Sequence, residues 1–332
     1  MSLSRRTLLA ATAGTALAAC ARPAPPPPPT SAPPTSAPPT GTPTTGTPPP
    51  SVAPTTPPAP PIPTPTETPT ASVTTPTPTP TVAPTPASAL TAAPAPVPLR
   101  ATVTARYAGN APAAWGLDVP GVLTTLPEAA APAIALTFDA CGGSGGSGYD
   151  AALVDTLRAH GVPATLFLNA RWIDANPAVF ESLAADPLFE IANHGTAHRP
   201  LSVTGRSAYG IAGTRDPGEA YDEIAGNLAK LTALLGRPPR FFRSGTAHYD
   251  DVATRIAADL GQQVAGFSTN ADGGATLPAA QVQRELAGAA PGDIVIAHMN
   301  RPASGTARGV AAALPALLAA GRTFTRLSDA FR

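Results

Sequence analysis

The stretch LTFDACGG, residues 136–143, is an apolar run that ends in one carboxylate, one thiol and two glycines. Apolar residues without polar alternation indicate a strand that is covered on both faces, as in a parallel sheet packed between helices. In such proteins the functional side chains lie at the carboxyl ends of the strands. Asp139 is therefore the first candidate site residue, and the glycines after it predict a sharply turning backbone.

Further β-rich runs follow, and helical patterns separate most of them. The predicted strands begin at Ile134, Ala164, Phe189, Arg240, Gln263, Asp293 and Thr323. The predicted helices span residues 149–160, 177–185, 219–235, 250–260, 279–288 and 307–320. Apolar strands that alternate with helices predict an α/β fold with a parallel sheet, and the number of strands favours a barrel over an open sheet.

The N-terminal part of the chain carries no such pattern. Residues 1–20 contain a pair of arginines, a weakly apolar run and the sequence Leu-Ala-Ala-Cys, which resembles a twin-arginine export signal with a lipobox. We expect Cys20 to carry a lipid that anchors the exported protein to the cell membrane, facing the cell wall or periplasm. Residues 21–98 are rich in Pro and Thr and predict a disordered linker. The folded domain is expected over residues 99–332.

The balance of charged residues limits the kinds of molecule that the chain can bind. The chain of 332 residues has 21 basic and 21 acidic side chains, so its formal net charge is zero. This balance gives no basic surface for nucleic acid, and we expect no nucleic-acid partner. Lipidation of Cys20 would leave Cys141 as the only thiol, which excludes an internal disulfide.

Polar residues follow several of the predicted strands. Besides Asp139, His194 follows the third strand, Arg243 the fourth and His298 the sixth. His194 and His198 are four residues apart, and two imidazoles at this spacing can bind one divalent metal if the segment turns. Each residue alone has an ordinary structural explanation, but their common placement at strand ends indicates a site.

Four motifs carry a resemblance to a known family. They are TFDA at 137–140, HGTAH at 194–198, RSGT at 243–246 and IVIAH at 294–298. Their order and spacing resemble those of the NodB-homology polysaccharide deacetylases, carbohydrate esterase family 4, over about residues 134–327. The resemblance implies a distorted (β/α)7 barrel that removes acetyl groups from N-acetylated glycans. It also implies a divalent metal cofactor, with zinc expected and cobalt or manganese as alternatives.

The resemblance also implies roles for individual residues. Asp139 matches the catalytic base, and His194 and His198 match the two histidine ligands of the metal. Arg243 matches the arginine that holds the base. His298 matches the acid that protonates the departing amine.

The chain departs from the family at its first motif. The family usually has two consecutive aspartates there, the second of which binds the metal, whereas this chain has Ala140. The metal could be held by two histidines and water, Asp139 or Cys141 could replace the missing ligand, or the metal could be lost. We interpret Cys141 as a small residue packed at the strand end, with zinc binding as the alternative. We expect the TFDACGG motif to mark a variant subgroup of the family that the chain resembles.

Four residues are candidates for contact with the substrate. Thr246 lies in the third motif, where the backbone is expected to face the developing oxyanion. Asp272 is the acid that remains near a poorly preserved fourth motif, and it is the candidate partner for His298. Trp172 could stack on a sugar ring, as could Trp115, although both have core or rim packing as the alternative. The loop 201–214 is expected to shape the substrate groove.

A dinucleotide site is the rival interpretation of the glycines. GSGGSG at 143–148 matches the GxGxxG pattern between a strand and a helix. The second strand ends in Asn169, where an acid would bind the ribose, and no phosphate-binding lysine follows. The glycine pattern therefore does not predict a dinucleotide cofactor.

The leading hypothesis is a metal-dependent deacetylase that acts on cell-wall or extracellular glycan. A non-catalytic carbohydrate-binding or wall-associated lipoprotein is the alternative, because Ala140 and the altered fourth motif suggest lost turnover. An O-acetyl ester hydrolase on the same fold would use the same residues. In each case the expected partners are an acetylated glycan and, through the lipid on Cys20, a membrane.

Overall fold

The structure is a computed structural model, and it describes residues 97–332. The predicted signal peptide, the linker up to residue 96 and the lipidation site Cys20 lie outside the described residues. The first described helix begins at Arg100, close to the predicted start of the folded domain at residue 99. Among the helices of residues 97–332, none has both the length and the apolar character needed to cross a membrane.

The described residues alternate between strands and helices. The strands are β1 Trp115–Gly116, β2 Val122–Leu123, β3 Ala133–Ala140, β4 Ala164–Leu168, β5 Phe189–Asn193, β6 Phe241–Phe242, β7 Tyr249–Asp250, β8 Gln263–Ala265, β9 Thr269–Asn270, β10 Ile294–His298 and β11 Thr323–Thr325. The helices are α1 Arg100–Tyr107, α2 Ala151–Ala159, α3 Ala170–Ala175, α4 Pro177–Ala184, α5 Pro217–Leu235, α6 Asp251–Asp259, α7 Ala279–Ala287, α8 Thr306–Ala319 and α9 Leu327–Ala330, with a 3-10 turn at Glu128–Ala130.

A parallel sheet organises the domain. Its strand order is β2-β8-β6-β5-β4-β3-β10-β9, and β11 pairs with the first part of β3. Every pairing in this sheet is parallel, and an antiparallel bridge between Thr125 and Asp293 links the segment after β2 to the start of β10. The predicted α/β class and distorted (β/α)7 barrel are confirmed. The seven predicted strands and six predicted helices are all present, with ends shifted by a few residues.

Strand β3 alternates between two buried environments. Leu136, Phe138 and Ala140 pack into the core between the sheet and the helices. Ala135 packs instead into a smaller core on the opposite face, inside the curled sheet, and this core includes Phe167. Because side chains alternate along a strand, Asp139 projects to the inner face, as Ala135 does. The inner face therefore carries the charged residue at the carboxyl end of the strand.

The sequence does not predict the shortest elements. Helix α3 follows β4 after a single residue, and Asn169 begins it by accepting a hydrogen bond from the backbone N–H of Arg171. Strands β1 and β7 form a two-residue antiparallel pair outside the main sheet. Elements of this length contain too few residues to show either period, so their formation depends on tertiary contacts.

Candidate functional site

A buried ion pair between Arg243 and Asp139 forms the floor of the site at the carboxyl ends of the strands. Arg243 is fully buried, and its Nη1 donates to Asp139 Oδ1 at 2.8 Å and to Thr137 Oγ1 at 2.9 Å. Its other nitrogens donate to the carbonyl oxygens of Ala265 and Gly266. The guanidinium also lies 4.2 Å from the centre of the Phe167 ring. Every polar face of this buried charge is satisfied, which is the condition under which a protein interior tolerates an arginine.

The same pair keeps Asp139 ionised. Burial acts to raise the pKa of this carboxyl, but attraction to Arg243, and then to His194 and His298, outweighs burial and holds the pKa below its usual value. Oδ1 receives the arginine, whereas Oδ2 has His194 Nε2 as a neighbour at 3.6 Å, beyond hydrogen-bond distance. Oδ2 is thus the oxygen of Asp139 that can accept a proton.

His194 presents a defined nitrogen to the site. Its Nδ1 lies 2.9 Å from the carbonyl oxygen of Arg243, which can only accept, so Nδ1 carries the proton in the neutral ring. The lone pair of Nε2 then faces Asp139 and lies 3.9 Å from the thiol sulfur of Cys141. A carbonyl partner on the far nitrogen is the usual support of a metal-binding histidine.

His198 reaches the same place through a tight turn. Its backbone φ is 62°, in the left-handed region, and its ring centre lies 5.0 Å from that of His194. Glu223, which is buried, accepts the backbone N–H groups of Ala197 and Arg199 on either side. A Cβ on Gly245 would lie within 2.5 Å of His198, so only glycine permits this approach. His198 Nε2 is buried and has no hydrogen-bond partner.

Cys141 completes a group of three donors. Its sulfur and one nitrogen each from His194 and His198 lie within 4.8 Å of one another. Ligands of a tetrahedral zinc ion are separated by about 3.5 Å, given metal–ligand bonds of about 2.0–2.3 Å. The three donors thus need only small movements to share one cation. Ala140 packs on the helix side of the sheet, so Cys141 is the next residue of this strand end that faces the site.

The charges around Cys141 favour its thiolate. Burial acts to raise the pKa of the thiol, but contacts with His194, His198 and His298 outweigh it, and the pKa lies well below its usual value. For His194, burial lowers the pKa, and the attraction of Asp139 followed by Cys141 raises it overall. Negative charge and imidazole lone pairs therefore meet at one point, where a proton or a metal cation is stabilising.

His298 is held on the other side of Asp139 by Asp272. Asp272 accepts the backbone N–H of His298 at 2.7 Å and lies 3.0 Å from its Nδ1. Thr306 and the backbone N–H of Gly274 also donate to this carboxylate. Asp272 was a predicted substrate contact, and this prediction is wrong, because Asp272 is fully buried and both of its oxygens are bonded within the protein. It is instead the acidic partner of His298.

This partner sets the protonation of His298. Burial lowers the pKa of the imidazole, but the hydrogen bond with Asp272, and a further contact with Cys141, raise it well above its usual value. Nδ1 is occupied by Asp272, which leaves Nε2 for the cavity that His298 lines. The side chain is 16% exposed, so a bound molecule can reach it.

A cavity of about 530 Å³ collects these groups. Asp139, Cys141, His198 and His298 all contribute to its lining. Thr246 and Asn300 also line it, and each has a buried oxygen without a hydrogen-bond partner. Unpaired buried polar atoms that face a cavity are groups that a bound molecule can satisfy. The contact of Thr246 with substrate remains a prediction.

A second cavity, of about 600 Å³, lies beside Pro120, Thr254 and Arg255. None of the strand-end residues lines it. Its size does not make it the candidate site, because its charged lining residues, Asp251 and Arg255, pair with each other at 3.6 Å and no histidine or cysteine lines it.

Trp172 does not reach the cavity. The ring is fully buried, and its indole N–H donates to the carbonyl oxygen of Gly148 at 2.7 Å. The prediction that Trp172 stacks on a sugar is therefore wrong, because neither ring face is accessible. Its structural role is to anchor the loop after β3, where a Cβ on Gly142 would lie 2.6 Å from the Trp172 backbone nitrogen.

The glycine loop does not form a phosphate cradle. The helix after it, α2, has Asp150 as its N-cap, and the carboxylate of Asp150 accepts the backbone N–H of Leu153. A carboxylate at this position occupies the helix N-terminus that a pyrophosphate would need. The glycines instead allow close packing against Arg171, Trp172 and Pro302.

Several further residues support the site. Asn193 and Asn227 bond to each other, and Asn227 also donates to the carbonyl oxygen at the end of β4. Asn169 donates to the carbonyl oxygens of His194 and Gly195, and Glu223 shapes the following turn. Asn169 and Asn193 stand at the ends of apolar strands, and this position was the available signal for them, whereas nothing local marks Asn227 or Glu223.

The ion pair at the floor of the site predicts a large effect of Arg243→Met. The substitution leaves Asp139 buried without its partner, so we expect a loss of about 3–5 kcal/mol in the free energy of unfolding. Urea denaturation measures the loss. Arg237→Met, at an exposed position, is the matched control and should change stability by less than about 0.5 kcal/mol. Equal free energies of unfolding for the two variants would show that the ion pair between Arg243 and Asp139 does not stabilise the fold.

Comparisons with known proteins identify a family for part of the chain. Residues 127–265 match the model of the polysaccharide deacetylase family. No curated protein is significantly similar to the chain in sequence.

Solved structures share the fold at low sequence identity. A carbohydrate esterase family 4 pseudoenzyme from Bacillus anthracis is 18% identical with a TM-score of 0.54, covering 65% of this chain and 70% of that one. A peptidoglycan N-acetylglucosamine deacetylase is 20% identical with a TM-score of 0.53, covering 63% and 92%. PdaA of Bacillus subtilis, a family 4 carbohydrate esterase, is 20% identical with a TM-score of 0.52, covering 64% and 85%.

The structural likeness establishes the fold, and the family match covers the segment that contains Asp139, His194, His198 and Arg243. On the family match and the order of the strand-end motifs, residues 127–265 match the polysaccharide deacetylase family, and the barrel has the fold of solved carbohydrate esterase family 4 structures.

Proposed function

We propose that this protein is a metal-dependent hydrolase that removes acetyl groups from an N-acetylated cell-wall or extracellular glycan. One observation carries the proposal. A single cavity is lined by a carboxylate kept ionised by Arg243, a histidine kept protonated by Asp272, and Cys141 and His198, whose donor atoms lie within 4.8 Å of each other and of a nitrogen of the buried His194. An amide is a poor electrophile and water a weak nucleophile, so its hydrolysis needs this combination.

The donors Cys141, His194 and His198 would hold the metal. The buried, unpaired Nε2 of His198 and the fixed tautomer of His194 are the features that fit this role. When bound, the metal would polarise the acetyl carbonyl and acidify a water molecule. Two imidazoles and a thiolate favour zinc or cobalt over manganese, which prefers oxygen ligands.

The two acid–base groups then act on opposite sides of the acetyl group. Oδ2 of Asp139 accepts the proton of the attacking water, while Arg243 keeps the carboxylate oriented. His298 donates a proton from Nε2 to the amine as the carbon–nitrogen bond breaks. Thr246 lines the cavity and its buried hydroxyl has no partner within the protein, so we expect it to bond to the substrate.

An exported, lipid-anchored location fits this activity. The twin-arginine signal and the lipobox at Cys20 are sequence features, and residues 21–98 would extend the domain away from the membrane. Proline-rich chain rises about 3.1 Å per residue when extended, which suits a reach into the cell wall.

A non-catalytic glycan-binding protein is the second candidate. Ala140 replaces the usual aspartate, and the fold is similar to that of a pseudoenzyme. Hydrolysis of O-acetyl esters is a variant of the first proposal, since the ester bond needs the same groups. The following experiment separates these possibilities.

Asp139→Asn should lower acetate release by at least about 100-fold, because the amide cannot accept a proton. Acetate is measured with zinc present on N-acetylglucosamine oligomers, peptidoglycan and O-acetylated xylan. Asp118→Asn, at an exposed position, is the control. If the unmodified protein releases acetate from none of these glycans, the non-catalytic glycan-binding alternative is favoured. If Asp139→Asn retains full turnover, Asp139 is not the catalytic base.

Purified protein should bind about one zinc ion per chain through the three donors. We expect Cys141→Ser to weaken zinc binding by at least about 100-fold and His194→Ala to abolish it. Competition with a chromogenic chelator measures the affinity without reference to activity. His160→Ala removes an exposed histidine and should have no effect. If Cys141→Ser binds zinc as tightly as the unmodified protein, the sulfur is not a ligand.

Asp272→Asn should shift the alkaline limb of the pH–rate profile to lower pH. The pKa of His298 is raised by Asp272, so the acid stays protonated to higher pH when the carboxylate is present. Its loss lowers that pKa, and the rate then falls earlier as pH rises. The measurement is kcat for acetate release between pH 6 and 10. An unmoved alkaline limb would exclude His298 as the acid that Asp272 controls.

A further inference from the structure

An exposed aromatic side chain stands at the mouth of the catalytic cavity. Tyr209 lines this cavity and is 76% exposed, the most exposed of the large apolar and aromatic residues in the described part of the chain. It lies in the loop 201–214, beside Ile211, which also lines the cavity and is partly exposed. Because the ring of Tyr209 is so exposed, core packing does not explain its position.

The backbone at Tyr209 is unusual. Ala208 and Ile211 form a two-residue hairpin, with hydrogen bonds of 3.1 Å and 2.9 Å in the two directions. Its two central residues, Tyr209 and Gly210, have φ values of 52° and 77°. Turns of this kind favour Asn, Asp or Gly at both central positions, and an aromatic residue in the left-handed region is disfavoured. Such local strain concentrates at functional sites.

The hairpin is firmly held. Arg199 donates to the carbonyl oxygens of Ala212 and Gly213, directly after the hairpin, and pairs with Glu219 at 2.8 Å. The backbone N–H of Thr214 donates to Pro200. Because Arg199 follows His198, the same short segment positions a metal-binding residue and the hairpin. Tyr209 is thus presented at a fixed place relative to the cavity.

Further aromatic rings continue from Tyr209 away from the cavity. The ring centres of Tyr209 and His248 are 5.1 Å apart, and those of His248 and Trp115 are 5.9 Å apart. The guanidinium of Arg206, an exposed residue of the same loop, lies 5.2 Å from the centre of the Trp115 ring. His248 is fixed by a contact of 2.8 Å between its Nδ1 and the carbonyl oxygen of Thr246. Together Tyr209, His248 and Trp115 form an aromatic strip that starts at the cavity mouth.

We propose that the aromatic strip is a binding site for the sugar ring next to the one that is deacetylated, with Tyr209 stacking on that ring. A pyranose has an apolar face of C–H groups and a polar rim, which matches the exposed ring of Tyr209 beside His248, with the guanidinium of Arg206 further along the strip at Trp115. The inference rests on the proposed function, because it takes the substrate to be a polymer of sugars. It makes Tyr209 a residue that selects chains over single sugars.

The strip is continuous with the catalytic cavity, and this continuity identifies its occupant. Thr246 and Ala247 line the cavity, and His248 follows them directly in the chain. A sugar chain whose acetylated unit lies at Asp139 and His298 must leave the cavity through its mouth. The aromatic side of that mouth is formed by Tyr209.

The test is the affinity of the full chain for N-acetylglucosamine oligomers of one and four units, with zinc present. The chain has two tryptophans, Trp115 and the buried Trp172, so a change in fluorescence on titration reports ligand near Trp115. The unmodified protein is expected to bind the tetrasaccharide more tightly than the monosaccharide, and in Tyr209→Asn we expect the ratio of these two affinities to fall about tenfold. A loss of this size corresponds to leaving about 50 Å² of apolar surface in water. Tyr209→Phe should retain that gain.

The choice of variants separates binding from folding. Asparagine is favoured in this type of turn, so Tyr209→Asn should not lower the melting temperature. Leu234→Asn, on an exposed part of α5, is the control for loss of a surface apolar residue. An unchanged affinity for the tetrasaccharide in Tyr209→Asn would overturn the inference. Equal losses for one and four units would also overturn it, by placing Tyr209 against the acetylated sugar itself.

The binding assay is independent of turnover. If the unmodified protein binds the tetrasaccharide more tightly than the monosaccharide but releases no acetate, the aromatic strip stands while the proposed hydrolase activity fails. If acetate is released but chain length does not change affinity, the hydrolase proposal stands and the strip fails.

Discussion

The structure depends on one buried ion pair. Arg243 lies inside the curled sheet with its charge balanced by Asp139 and its remaining donors bonded to Thr137 and two carbonyl oxygens. A buried guanidinium is tolerated only when these partners are all in place. The pair therefore requires β3, β6 and the segment after β8 to meet in one register. It also keeps a carboxylate ionised where burial alone would neutralise it.

The rest of the site is arranged around that carboxylate. His194 hydrogen-bonds the carbonyl oxygen of Arg243, so the residue that pairs with Asp139 also orients an imidazole that could bind a metal. His298 approaches from β10, which pairs with β3 so that His298 lies beside Asp139 in the sheet. Negative charge and imidazole nitrogen are thus concentrated between two neighbouring strands and one turn. This concentration explains why a cation is stabilising there.

The replacement of the family's second aspartate has a structural context. Ala140 packs against the helices, and a carboxylate on that face would be buried among apolar side chains. Cys141 is the next residue, and its sulfur lies near both histidines. A sulfur in place of an oxygen would change which metals such a site prefers, since thiolate favours zinc and cobalt. The departure at residue 140 therefore does not leave the site without a third donor.

Much of the fold was already determined by the sequence. The strands β3, β4, β5 and β10 are five to eight residues long and nearly all apolar, which is enough to show that they are buried in a parallel sheet. The helices of eight residues or more that follow β3 carried a readable period, whereas α1, which is as long as α4, was not predicted. Because parallel strands end at one edge of the sheet, the positions of Asp139, His194 and His298 also followed from the sequence.

Only the tertiary structure decided how the side chains at those positions are used. Trp172 and Asp272 are both polar or aromatic residues near strand ends, and nothing in the sequence distinguishes burial from contact with substrate. Packing buried both, one under the glycine loop and the other beneath His298. Tyr209 was exposed by a two-residue hairpin too short to have a period, and Cys141 met its partners through a turn at His198. Local sequence determines periodicity and turns, whereas burial and side-chain contacts depend on residues distant in the chain.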